Sequence, residues 1–105
     1  MGNRWGIPTE VENFVIERDK DCVYCGITFT QDNSSRKTKQ SWEHIINDIR
    51  INGVHNIALC CISCNASKGA KSVVDWLESK YCKDRDITKE SVALVVKQVI
   101  KKLSI

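Results

Sequence analysis

The sequence lacks any apolar run of the roughly 20 residues a membrane-spanning helix needs, and among its 105 residues it has one proline, five glycines, one methionine and two histidines. No charged segment followed by a short apolar one opens the chain, so no secretory leader is expected and the location expected is cytoplasmic. Met1-Gly2 resembles the start of a myristoylation signal, but Gly6 stands where Ser or Thr is wanted. Internal repeats and low-complexity tracts are missing as well, which excludes solenoids, rods and compositionally disordered chains. Membrane and secreted functions are thereby set aside.

What is there is the composition of an ordinary globular protein, 42% apolar and 28% charged. A chain of this length has room for one domain, taken as residues 1–105, with one modest core. The net charge is only +3, but it is unevenly spread. From Lys68 onward there are nine Lys/Arg against five Asp/Glu, while the first 67 residues sum to −1. A cationic C-terminal third suits either contact with phosphates or a solvated helix surface.

Periodicity predicts a helix over 9–18, opened by a Thr9/Glu12 capping box and carrying Val11, Phe14 and Val15 on one face. Cys22 to Gly26 reads as a tight turn, and the polar stretch 31–41 as a surface loop. Residues 42–46 and 56–60 are short apolar blocks, expected as two strands joined by an irregular loop, with a helix from Cys61 to about Lys68. Ser72 and Asp75 predict another cap, opening a helix with Val73, Trp76, Leu77 and Tyr81 on one face. The clearest helical pattern is the last: Val92, Val95, Val96, Val99, Ile100 and Leu103, after a Thr88 cap.

The composition is out of scale only in its six cysteines. Four of them form two C-x2-C pairs, Cys22/Cys25 and Cys61/Cys64, with 35 residues between the pairs. Each spacing lets a turn aim two thiolates at one point, and two such turns complete a tetrahedral zinc site with no open position. In a reducing compartment this is favoured over disulfides. A closed site of this kind is structural. Cys60 and Cys82 are expected to be small buried or idle thiols.

The residues between and after the pairs suggest chemistry beyond binding: Trp42-Glu43-His44-Ile45-Ile46 ending one strand, Asn56 opening the next, and Asn65-Ala66-Ser67-Lys68-Gly69 after the last cysteine. Over residues 22–69 the sequence resembles the HNH endonuclease family, whose pattern is C-x2-C, an acidic residue with His, an Asn before an apolar strand, and C-x2-C followed by His or Asn and a nearby Lys. The resemblance implies an α+β fold with a zinc-stapled ββα-metal core, and an N-terminal and a C-terminal helical part (about 70–105) flanking it. It implies a metal-dependent DNA endonuclease of a restriction, phage or mobile-element type, RNA not being excluded as substrate.

Residue by residue, the resemblance makes His44 the general base and Glu43 the acidic ligand of a catalytic Mg²⁺ or Mn²⁺, with Glu in place of the commoner Asp. Asn56 becomes the brace that orients the base, Asn65 the last metal-binding position in an HNN variant, and Lys68 a basic residue that meets a phosphate. The chemistry agrees. A histidine near neutral pKa can take a proton from water, and Glu43 and the amide oxygen of Asn65 suit a hard cation. Asn47 departs from the pattern, standing where the family frequently has Pro. His55 matches no required position and is expected at the surface. The apolar stripe 92–103 serves either its own domain or a homodimer. The rival from another class is a non-catalytic zinc-containing module that binds nucleic acid.

Overall fold

The computed structural model describes residues 6–30, 38–48 and 50–103. Over these the order is helix α1 (Thr9–Arg18), strands β1 (Gln40–His44) and β2 (Ile57–Cys61), then helices α2 (Ile62–Lys68), α3 (Val73–Leu77), α4 (Lys80–Asp84) and α5 (Leu94–Leu103). The architecture is α+β, a two-stranded antiparallel sheet among five helices in the described residues. No helix in them is long and apolar enough to cross a membrane.

Strand β2, Ile-Ala-Leu-Cys-Cys, is buried at every position. Side chains alternate across a strand, so β2 feeds two cores. Ile57 and Leu59 join Ile7 and Val15 under α1. Ala58 and Cys60 join Val23, Tyr24, Trp76 and the valines of α5 on the other side. The register pairs Trp42 with Leu59, Glu43 with Ala58 and His44 with Ile57. Glu43 therefore enters the larger core, and His44 ends the strand.

The outer edge of β2 is closed by the chain itself. The Asp19 carboxylate accepts from the Leu59 N–H at 3.1 Å, and the Val23 N–H donates to the Leu59 carbonyl at 3.2 Å. Arg18 grips Asp19 while donating to the carbonyls of Val54 (2.7 Å) and Ile57 (2.8 Å). Buried backbone groups and a strand edge are thus satisfied.

Five local expectations are corrected. Thr9 is the first residue inside α1 rather than its cap: Pro8 holds the cap position at φ −60° and takes the Glu12 N–H on its carbonyl, so the box is one residue out of register. Phe14 is 51% exposed instead of sharing the buried face of Val15.

The helix expected from Ser72 through Tyr81 is two helices. Ser72 does cap the first through the Asp75 N–H, but extended Ser79 caps a second through Cys82 N–H at 3.3 Å, a side-chain competition that Ser favours over helix continuation. Thr88 caps only a turn, taking the Glu90 and Ser91 N–H groups. The Ala93 N–H then bonds the Val23 carbonyl at 2.9 Å, so α5 starts at Leu94. Of the expected loop 31–41, residues 31–37 lie outside the described residues, and from Gln40 the chain is already β1. Of the stripe 92–103, Val92, Val95, Val96 and Val99 are buried in the chain's own core, while Leu103 is 47% exposed.

Candidate functional site

The two C-x2-C turns converge. Cys22 and Cys25 flank a turn closed by Gly26 N–H to Cys22 carbonyl (3.0 Å), with Gly26 at φ +78°, a conformation glycine adopts without strain. Cys61 ends β2 and Cys64 lies one turn into α2. The four sulfurs lie within 4.8 Å of one another, and Cys25 Sγ is 3.8 Å from Cys61 Sγ. A tetrahedron of roughly 2.3 Å Zn–S bonds has edges of about 3.8 Å.

The surroundings suit thiolates. Cys25 N–H points at Cys22 Sγ (3.5 Å), Cys64 N–H at Cys61 Sγ (3.4 Å), and the Tyr81 hydroxyl at Cys64 Sγ (3.4 Å). Such outer donors orient and tune metal ligands. Hydrogen bonds from Cys25, then Cys61 and Cys64, hold the Cys22 thiol far below its ordinary range, while the hydrogen bonds to Cys22 push Cys61 and Cys64 well above theirs. The cluster can hold a metal ion such as zinc. Cys60 lies outside it, buried against Ser41, and Cys82 is buried apart, as expected of idle thiols.

Downstream of β1 the chain makes an irregular loop to β2, held from within by Asn56. Its Oδ1 accepts from the Ile46 N–H (2.7 Å), and its Nδ2 donates to the carbonyls of Ile46 and Ile51 (both 3.1 Å). The loop presents Asn52 to His44, whose Nε2 lies 2.8 Å from Asn52 Oδ1. Asn65 ties α2 to β1: its Nδ2 donates to Ser41 Oγ and to the Trp42 carbonyl, both at 3.0 Å.

Glu43 and Lys68 meet each other. The Lys68 side chain is 1% exposed, and its Nζ lies 3.1 Å from Glu43 Oε2, with a longer 3.5 Å approach to the His44 carbonyl. The Tyr24 hydroxyl donates to the same Glu43 oxygen at 2.6 Å. Burial raises the Glu43 pKa, and Lys68, then Tyr24, oppose the rise. The phosphate contact expected of Lys68 is therefore corrected: an ammonium this deep, already paired, does not reach a phosphate. Nor do the residues expected to hold Mg²⁺ or Mn²⁺ fit that ion, since the Glu43 charge is balanced by Lys68. Asn65 binds β1 through its amide nitrogen.

The structure thus brings Glu43 to Lys68 and His44 to Asn52, with Asn56 bracing the loop between. Sequence reasoning missed Tyr24, Asn52 and Tyr81. Tyr24 sits inside the first C-x2-C pair, where a hydroxylated aromatic is a weak signal, and nothing marks Asn52 in its polar loop. His55 is exposed, as expected. None of three cavities, of about 620, 370 and 360 Å³, is lined by His44, Glu43 or Asn65. His44 and Glu43 are themselves buried, at 8% and 6% exposed. A scan against family models matched none, and searches of curated proteins and of solved structures returned no match.

Proposed function

We propose that this chain is a zinc-stapled endonuclease of the HNH type, hydrolysing a DNA phosphodiester bond with His44 as the general base. The observation that carries the reading is one strand–loop–strand–helix unit bearing His44 at the end of β1, the loop-bracing Asn56 and, directly after the last cysteine, Asn65. Water attacks phosphorus, His44 takes its proton, and the bond to the leaving oxygen breaks. The expected Mg²⁺ or Mn²⁺ has no ready donor pair at Glu43 and Asn65, and no residue is assigned to it. The exposed Lys97, Lys101 and Lys102 of α5, a helix without acidic residues, suit a phosphate backbone.

One rival has an observation in its favour. The paired Glu43 and the buried Lys68 fit a zinc module that binds nucleic acid without cutting it. A panel of supercoiled plasmid, single-stranded DNA, branched DNA and RNA, with Mg²⁺, Mn²⁺ or EDTA, separates the two. Cleavage of DNA is expected, and binding without cleavage of any member sinks the enzymatic reading. His44→Ala should lower the rate about 100-fold or more with zinc content and DNA affinity unchanged. A loss under tenfold, about 1.4 kcal/mol, removes His44 as the base.

A further inference from the structure

We propose that Asn52 is a positioning residue that fixes the tautomer of His44, so that Nε2 carries the ring proton and Nδ1 is the nitrogen that accepts one. The inference rests on the nuclease reading for its catalytic consequence, but its geometry stands alone. Asn52 Oδ1 lies 2.8 Å from His44 Nε2. A carboxamide oxygen only accepts, so the ring nitrogen facing it must donate, and a neutral imidazole has one N–H to give. The partner on one nitrogen thus decides which nitrogen is basic.

The contact is preset by the loop. Asn56 ties Ile46 to Ile51, the residue before Asn52, and the Asn56 N–H returns to the Gly53 carbonyl at 3.0 Å. Both neighbours of Asn52 are therefore held by Asn56, Ile51 through its side-chain amide and Gly53 through its backbone N–H, in bonds that do not involve His44. His44 is pinned by its own strand pairing with Ile57. Two fixed backbones hold the pair at hydrogen-bonding distance, the kind of pre-organisation that keeps a base in one protonation geometry between turnovers.

The test uses the zinc-loaded full chain labelled with ¹⁵N. With two histidines in the sequence, a His55→Gln spectrum assigns the other ring. Long-range ¹H–¹⁵N correlations at a pH where the ring is neutral should show His44 protonated at Nε2. Asn52→Ala should lower the share of the Nε2–H form, and Asn52→Asp, which keeps an acceptor and loses the amide donor, should restore it. On a DNA substrate that the wild type cuts, Asn52→Ala should lower kcat about tenfold with KM within twofold, and Asn52→Asp should recover most of it.

A wild-type His44 protonated at Nδ1 overturns the proposal, whether or not the variants fold. So does an Asn52→Ala protein with the wild-type tautomer and unchanged kcat. If no substrate is cut, the nuclease reading falls, and the spectra alone decide whether Asn52 sets the ring.

Discussion

Cys64→Ser is expected to leave the chain largely unfolded at 25 °C, and removing zinc from the wild type with a strong chelator should do the same. The binding free energy of a closed structural zinc site is on the order of 10 kcal/mol, comparable to the whole stability of about 5–15 kcal/mol of a typical domain. The reason is visible in what the cluster joins. Cys22 and Cys25 belong to the turn that bonds both β2 and the entry to α5, through Val23. Cys61 and Cys64 belong to the junction of β2 and α2. Without the metal, four thiols crowd within 4.8 Å and the two turns lose the link that joins them directly. Elemental analysis should give one zinc per chain, and circular dichroism should show the loss of structure. Cys82→Ala, at a cysteine buried outside the cluster, should cost only about 1 kcal/mol. Equal effects of the two substitutions, or a chain that folds normally free of zinc, would dispose of the metal centre.

Lys68→Met should destabilise the folded state by about 3–5 kcal/mol at neutral pH, the range for breaking a buried pair from one side. Glu43, 6% exposed, would be left in the core with only the Tyr24 hydroxyl for company. The double variant Lys68→Met/Glu43→Gln removes both charges and keeps an acceptor for Tyr24, so it should regain most of the loss. The pH dependence has a definite sign. Glu43 already has a folded-state pKa above its ordinary value because of burial, and without Lys68 it should rise further. A carboxyl raised in the folded state favours folding at low pH and loses that contribution as pH rises through the folded value. The deficit of Lys68→Met should therefore shrink on going from pH 8 to pH 5, and that of the double variant should stay flat. Chemical denaturation at both pH values measures this. A Lys68→Met protein as stable as wild type would mean that the ammonium is not the partner of Glu43.

The ion pair also explains why the two residues were misread. A Glu beside a His and a Lys three residues beyond an Asn are, in one dimension, indistinguishable from a metal ligand and a phosphate contact. Only the packing of α2 on β1 reveals that each cancels the charge of the other. Asn52 is a similar case: its partner His44 lies eight residues away, across a loop whose path depends on the three hydrogen bonds of Asn56.

Much that is local was settled by the residues themselves. The bounds of α1, the existence of two strands, the short α2 and the two C-x2-C turns follow from spacing, because helix periodicity, strand burial and the bite of two thiolates are properties of neighbours in the chain, although β1 runs Gln40–His44 rather than the expected 42–46. The tertiary structure decided the rest. Ser79 divides α3 from α4, and Ala93 withholds its N–H from a helix to bond Val23. Glu43 faces Lys68 rather than a solvent cation, and Tyr81 reaches a cysteine sulfur. In each case a polar group has more than one possible partner, and which one it takes depends on which backbone the hydrophobic core and the four cysteines bring within about 3 Å. That distance is a property of the packed chain and is written in no stretch of its sequence.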